Sequence, residues 1–374
     1  SPNAHYDYSE LGETWSAPRV LRIPNKQADT DIFDDLYVAV MGAGYGARYE
    51  GVGSGVYVIN LTDNENPGKI EKFISIKDTP GNGIVSSVPG DPVVITRDAA
   101  KGYVNFAGAL VYTNDLEGKI TKINLTDLVE PGLKIYDHYT LFDTKSTDSD
   151  GRYMYHSMEA AIGKDTKNLW LFAGTGDFEN LTDTSALTSN ILLGIADDDF
   201  PEMKVPLDVK AFNSGLSKVP PTIDDIKNCL DTTKNKTSEK CPKKMGAGIS
   251  SKRGWVIHLD DYKKVTASPT IAGGMAYFPI FTPPKGADKC KNGAASICAV
   301  DDECGTNYSS TLGTHAKSDE CLYVGEGILS KIVTFGGKLY ANIAGKADDG
   351  SDLINKDAIG MEVDITRGTW KESF

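Results

Sequence analysis

The chain has 374 residues, of which 40% are hydrophobic and 24% charged, a balance that supports a buried core; 38 glycines and 17 prolines without a collagen-like period favour many short strands and turns. A formal net charge of −13 repels phosphate backbones and excludes nucleic acid as a partner. No apolar run approaches the roughly 20 residues that a membrane-spanning helix requires, so no membrane span is expected.

In chain order, the first strand pair is Ala17-Pro-Arg-Val20 followed by Leu36-Tyr-Val-Ala-Val-Met-Gly42. An alternating segment, Gly55-Val-Tyr-Val-Ile59, then leads into Ile59-Asn-Leu-Thr-Asp63. The same order returns with Asp91-Pro-Val-Val94, Leu110-Val-Tyr-Thr-Asn114 and Gly118-Lys-Ile-Thr-Lys-Ile123, and the pentapeptide recurs as Ile123-Asn-Leu-Thr-Asp127. Three further pairs follow: Glu159–Ile162 with Leu169–Gly174, Ser268–Ile271 with Met275–Ile280, and Leu329–Ile332 with Leu339–Ala344. Period-two alternation predicts one inward face for the alternating strands. Five copies of strand, turn, strand with a fixed internal order predict an all-β chain and a β-propeller, with about five blades visible. A generic β-sandwich would not keep that order. Small residues at the ends of the second strands are expected where inner strands converge on a central channel.

Residues 1–374 therefore read as one propeller domain with two insertions. The first, 206–252, is polar and lysine-rich, and Thr222–Leu230 has the spacing of one short helix capped by Thr222. The second, 283–320, is cysteine-rich. The six cysteines (Cys229, Cys241, Cys290, Cys298, Cys304 and Cys321) are even in number and lack any Cys-x-x-Cys pair, which favours disulfides in an oxidising compartment over zinc. The expected pairing is Cys229–Cys241, Cys290–Cys298 and Cys304–Cys321, although the last four admit three connectivities.

These motifs resemble the C-terminal propeller of the PilC/PilY-type tip-associated adhesins and biogenesis factors of bacterial type IV pili. The matching pieces are Gly12-Glu-Thr-Trp-Ser-Ala-Pro18, Val38-Ala-Val-Met-Gly-Ala-Gly-Tyr45, Tyr112-Thr-Asn-Asp-Leu-Glu-Gly-Lys-Ile120, Phe172-Ala-Gly-Thr-Gly-Asp177, Leu193-Gly-Ile-Ala-Asp197, Gly254-Trp-Val-Ile-His-Leu259, Ser268-Pro-Thr-Ile271 and Phe281-Thr-Pro283. They run in order from about residue 10 to 345. The resemblance implies a modified, quinoprotein-like propeller, seven-bladed in that family. One or two blades and an N-terminal module are then expected upstream of Ser1. It further implies a non-enzymatic protein at the pilus tip, extracellular or on the cell surface after export through the periplasm. Its partners would be minor pilins or the pilus tip complex, and a host or abiotic surface. A purely structural role in pilus assembly is the alternative within that setting.

The family carries a calcium loop before the strand matched by Tyr112–Ile120. Here that stretch is Arg97–Asn105, where Arg97, Ala99 and Lys101 stand at ligand positions. Two cations in the loop disfavour calcium, which takes six to eight oxygens. Lys101 is expected to hold the turn without a metal. A second candidate for a metal is Asp143 with Asp148 and Asp150 of Asp148-Ser-Asp-Gly151, although the Glu that would complete such a loop is missing. No cofactor is expected. Asp197-Asp-Asp199 and Asp348-Asp-Gly350 read as solvated loop tips.

Little else points to chemistry. Tyr8-Ser-Glu-Leu-Gly-Glu-Thr-Trp15 is similar to the sialidase Asp-box, which is a folding turn, so a propeller turn is expected there. His156 reads as a satisfied structural histidine and His258 as an exposed edge residue. No Gly-x-Ser-x-Gly, His-Glu-x-x-His, P-loop or Cys-x-x-Cys-His motif occurs. A secreted quinoprotein-like enzyme is the alternative of a different class, but the adjacent cysteine pair common beside its cofactor is absent.

Overall fold

In the computed structural model each of the five predicted strand pairs is an antiparallel hairpin, and together they order the whole chain. The structure describes residues 4–23, 36–46, 51–63, 65–77, 86–96, 109–125, 135–147, 151–184, 189–197, 200, 222–226, 254–260, 262–284, 292–313 and 321–360. Strands β1 (Arg19–Ile23), β2 (Leu36–Gly42), β3 (Gly55–Asn60) and β4 (Ile70–Ser75) form a first four-stranded meander. A second comprises β5 (Val93–Thr96), β6 (Ala109–Asn114), β7 (Lys119–Leu125) and β8 (Ile135–Asp143). The third comprises β9 (Glu159–Ile162), β10 (Leu169–Gly174), β11 (Ile191–Asp197) and β12 (Gly254–His258).

The remaining strands share one sheet. They are β13 (Lys264–Val265), β14 (Thr270–Ala272), β15 (Met275–Thr282), β16 (Ala294–Asp301), β17 (Leu322–Leu329), β18 (Val333–Phe335), β19 (Lys338–Ala347) and β20 (Leu353–Asp357). Strand β17 joins the last two repeats, because Leu322–Glu326 pair with β16 while Gly325–Leu329 pair with β19. The hairpins β14–β15 and β18–β19 turn on Gly273–Gly274 and Gly336–Gly337, whose φ values are all positive. Two consecutive positive φ values match the right-handed strand twist, and glycine reaches them without strain. The fold is an all-β propeller with about five blade-like units.

The expectation of one inward face is too weak for the inner strands. All six residues of β6 and of β10 are buried. Ala109 and Val111 of β6 pack with Val38, Val40 and Val56 of the first blade, whereas Leu110 and Tyr112 pack with Leu169, Leu171 and Leu193 of the third. Trp170 and Phe172 of β10 turn the other way, onto Ala276, Phe278 and Ile280. The second and third blades are thus sandwiched between neighbours, and alternation sorts their side chains between two dry interfaces.

The small residues also serve a different purpose. Gly42 and Gly174 do not line the channel. A Cβ on Gly42 would stand 2.5 Å from the Val88 carbonyl oxygen, and one on Gly174 would stand 2.3 Å from Val265 Cγ2. Val88 and Val265 lie on the chain entering the next repeat, so these glycines admit a crossing segment. Asn114, at the end of β6, does the same job by hydrogen bonding. Its Nδ2 donates to the Met154 and His156 carbonyls at 3.1 and 3.0 Å, and its Oδ1 accepts from Met158 N at 3.2 Å.

The disulfide pairing is corrected. Cys298 bonds Cys321, with Cα atoms 4.4 Å apart. The antiparallel register of β16 on β17 sets Ile297 opposite Leu322, which places Cys298 opposite Cys321. Neither Cys290–Cys298 nor Cys304–Cys321 therefore forms; Cys304 is bonded in a separate disulfide. Cys229, Cys241, Cys290 and most of 206–252 lie outside the described residues. The expected insertion 283–320 is corrected in part, because β16 (Ala294–Asp301) falls within it and pairs with β15 as an ordinary blade strand. Of the helix expected from Thr222, the described part is a 3₁₀ turn, Ile223–Asp225. Thr222 makes a parallel bridge to Asp143.

Candidate functional site

The first strands β1, β5 and β9, with Ser268 and Lys331 ahead of β14 and β18, line a central cavity of about 840 Å³. Its walls come from all five repeats, as a propeller channel requires. Arg19 Nη2 lies 3.2 Å from Asp91 Oδ2, and Lys331 pairs with Glu159, so both ion pairs tie different blades together. Asp91 Oδ1 also accepts from Ala17 N at 2.6 Å, while Asp91 N donates to Ser157 Oγ at 2.7 Å. These charges are partly exposed, so each pair contributes at most about 1 kcal/mol. Their effect is to neutralise one another inside a channel whose remaining walls are largely apolar, including Val20, Val93, Ile95, Ile162 and Phe200.

First strands begin, and second strands end, on one face of the propeller. Four aromatic residues from these loops meet there. The Trp15 and Tyr45 rings stack at 5.9 Å and 17°, and Tyr45 stacks on Tyr155 at 6.1 Å and 30°. Phe178 continues the row 6.5 Å from Tyr155. Glu179 clamps it: the Tyr45 hydroxyl donates to Oε1, and the Tyr155 hydroxyl donates to Oε2 at 3.4 Å. The predicted turn at Tyr8–Leu11 is present, closed by Leu11 N donating to the Tyr8 carbonyl at 3.0 Å. A two-way backbone bridge between Glu13 and Tyr45, 2.7 and 2.6 Å, then delivers Trp15 to the stack.

Buried carboxylates lie in two turns, one on this face and one on the opposite face. In the β6–β7 turn, burial pushes the Asp115 carboxyl up to about 8, opposed by the Lys119 N–H that donates to it at 3.0 Å. Glu117, 1% exposed, accepts from Ser86 Oγ at 2.8 Å and faces Lys119 Nζ at 3.0 Å. After β16, burial raises Asp302 to about 6, with the Asp301 and Glu303 charges adding to the rise. Glu303 accepts from the Asp165 and Thr166 amides at 2.7 and 2.8 Å, which fastens the β9–β10 turn of the neighbouring blade. No sequence motif singled out these groups; the single hint is the acidic Asp115-Leu-Glu-Gly118 turn within a blade motif.

The residues singled out in the sequence are dispersed. Asp143 ends β8, where its Oδ1 caps Lys145 N at 2.7 Å. Asp148, Asp150 and the whole Arg97–Asn105 loop lie outside the described residues. Among the described residues, no three His, Cys, Asp or Glu side chains gather as metal ligands. His156 is a structural histidine but not a satisfied one. Its ring sits edge-on to Phe178 at 4.9 Å, Nε2 is buried without a hydrogen-bond partner, and burial lowers it to about 4. His258 is exposed at the end of β12, as expected, with Nδ1 2.9 Å from Ser189 Oγ. Asp349 caps Ser351 in an exposed turn, so Asp348–Gly350 is a loop tip. Asp197 is not: it is 1% exposed and ion-paired, because the adjacent blade places Lys122 beside it.

Five blade-like units around a channel define a β-propeller. No family model matches the chain, and no curated protein sequence matches it. Among solved structures, the chain is similar to the C-terminal domain of PilY1 from Pseudomonas aeruginosa, with TM-score 0.56 and 14% identity, covering 90% of this chain and 72% of that one. More distant likenesses include a GH43 endo-arabinanase from Bacillus licheniformis (TM-score 0.31, 13% identity, 92% and 96% covered) and the Bacillus subtilis arabinanase Arb43A (0.33, 14%, 93% and 94%). At these identities the likeness to PilY1 establishes the fold. No helix among the described residues is long and apolar enough to cross a membrane.

Proposed function

We propose that this propeller is a non-enzymatic, type IV pilus-associated protein that supports pilus assembly and surface attachment. The observation that carries this reading is the fold likeness to the PilY1 C-terminal domain over 90% of the chain. The ordered blade motifs from Gly12–Pro18 to Phe281–Pro283 support it independently. The channel also fits a scaffold: Arg19 pairs with Asp91 and Lys331 with Glu159, which favours cohesion between blades over a free acid–base couple. In this reading the chain is exported through the periplasm, where an oxidising compartment suits the Cys298–Cys321 disulfide. It then acts at the pilus tip or cell surface, with minor pilins and a host or abiotic surface as partners.

The test is deletion of the gene, with pilus number counted by electron microscopy and attachment scored per remaining pilus. Both are expected to fall. Fewer pili with unchanged attachment per pilus would reassign the protein to a purely structural role, and no change in either would overturn the reading. Saturable binding of a quinone cofactor by the purified chain would instead move it to the enzyme class.

A further inference from the structure

The aromatic row is built asymmetrically. Trp15 is 64% exposed, and Tyr45 is the one ring it touches among the described residues. One indole face therefore rests on the stack while the other meets solvent. Behind it, Tyr45 and Tyr155 both donate their hydroxyl protons to Glu179. A phenol bonded to a carboxylate gains electron density in its ring, and the negative ring face deepens accordingly. The column presented through Trp15 is thus electron-rich.

One carboxylate is bonded to this column, and a second acidic residue, Glu13, lies on the backbone that delivers Trp15 to it. Glu179 bridges the phenols, and Glu13 is bonded through its backbone to Tyr45, two residues before Trp15. Both side chains are exposed, and neither has an ion pair among the described residues. The chain's net charge of −13 draws cationic segments toward such a site. Among protein cations, the guanidinium is planar, weakly hydrated and able to lie flat on an aromatic face, whereas an ammonium is a compact point charge. A flat, open end on a stack of rings spaced about 6 Å apart selects the planar group.

We propose that Trp15, backed by Tyr45 and Tyr155 with the Glu179 carboxylate on their hydroxyls, is a docking site for an arginine side chain of a partner protein. The guanidinium extends the stack by one layer on the open face of Trp15, and the Glu179 charge behind the rings attracts it through the column. This site does not depend on the pilus reading, and the experiment below tests it on the purified chain alone.

The full chain is titrated with an acetylated, amidated Gly-Arg-Gly-Arg-Gly peptide, followed by tryptophan fluorescence and, for every variant, by isothermal titration calorimetry, which does not need Trp15 as a reporter. Trp170 and Trp255 are buried, so the Trp15→Leu variant identifies the responding ring. Matched peptides carry lysine or neutral, planar citrulline, and a neutral oligosaccharide is titrated separately. Saturable binding is expected in the order arginine, lysine, citrulline. Trp15→Leu should weaken the arginine peptide about fivefold, and Glu179→Gln roughly twofold, the range of a single exposed cation–π or charge contact. Because Trp15 is exposed, unchanged melting of Trp15→Leu is expected; Glu13→Gln, an exposed change, gives a second variant with the same expected direction. Equal binding of the citrulline peptide, binding of the oligosaccharide alone, an undiminished Trp15→Leu variant or no saturable binding would each overturn the proposal.

Discussion

Lys122 Nζ lies 2.6 Å from Asp197 Oδ2, and both side chains are almost wholly buried between the second and third blades. The Tyr112 hydroxyl donates to the same oxygen at 2.6 Å, and the Lys122 ammonium stands 5.9 Å from the Tyr112 ring and 6.0 Å from that of Tyr139. Replacing Lys122 leaves the Asp197 carboxylate buried without its ammonium partner, and breaking a buried pair in this way costs about 3–5 kcal/mol. Lys122→Met is therefore expected to lower stability by that amount in urea unfolding. The double variant Lys122→Met, Asp197→Leu should recover most of it, because an apolar pair leaves no orphaned charge. A double variant as unstable as the single would show that the pair is not the source of the loss.

The cross-strand disulfide gives a chemical prediction. Peptide mapping without reduction should recover Cys298 linked to Cys321, and no peptide linking Cys290 to Cys298. The loop it closes has a sequence separation of 23. Chain entropy for a loop of this length corresponds to about 3 kcal/mol, which the Cys298→Ser, Cys321→Ser variant is expected to lose.

Asp115 and His156 titrate with opposite effects on stability, which largely cancel between pH 4 and 6.5 and leave Asp115 alone above that range. The Asp115 carboxyl, ordinarily near 3.8, is raised by burial to about 8. Between those values the native state holds a proton that the unfolded state has released, so stability falls as pH rises through the window. Asp302, raised to about 6, acts in the same direction below that pH. His156, lowered by burial to about 4 from 6.5, works oppositely and removes stability as pH falls from 6.5 toward 4. Above pH 6.5, Asp115 is the one of these three still titrating. Urea midpoints should drop between pH 6.5 and 8, by up to about 2 kcal/mol at 1.36 kcal/mol per unit. Asp115→Asn should flatten that limb, and an unchanged slope in this variant would remove Asp115 as its cause.

Gly42 tests the reading of the small residues. Its missing Cβ leaves room for the Val88 backbone, so Gly42→Ala forces a backbone atom to move. Overpacking of this kind costs about 1–3 kcal/mol. Gly336→Ala, where a Cβ would meet nothing within 4 Å but φ is +56°, should instead cost only the backbone term of about 1 kcal/mol. Equal losses would show that close approach is not what Gly42 provides.

Much of the fold was legible because strand period and hairpin turns are local. Val38–Gly42, Leu110–Asn114 and Leu169–Gly174 declare themselves by composition, and the order of elements around them marks the repeat. The outcome differs where a residue's neighbour comes from another blade. Asp197 reads as the start of an acidic loop until Lys122 is found beside it, and nothing in either local segment announces the other. Cys298 and Cys321 become partners through the register of β16 on β17, which spacing along the chain does not encode.

The aromatic column shows the same division. Residues 15, 45, 155 and 178 lie far apart in sequence, and each is unremarkable in its own loop. They meet because first strands begin and second strands end on one face, so the closing of blades around a channel collects their loops. The sequence by itself determined the all-β class and the five hairpins, since these depend on short-range periodicity and turn chemistry; it did not show that 294–301, read as part of an insertion, is a blade strand. Only the tertiary structure decided which strand faces are buried, which cysteines bond, which carboxylates lose their solvent and which rings stack. Those outcomes depend on contacts between blades, and inter-blade contacts are long-range packing with no local signature.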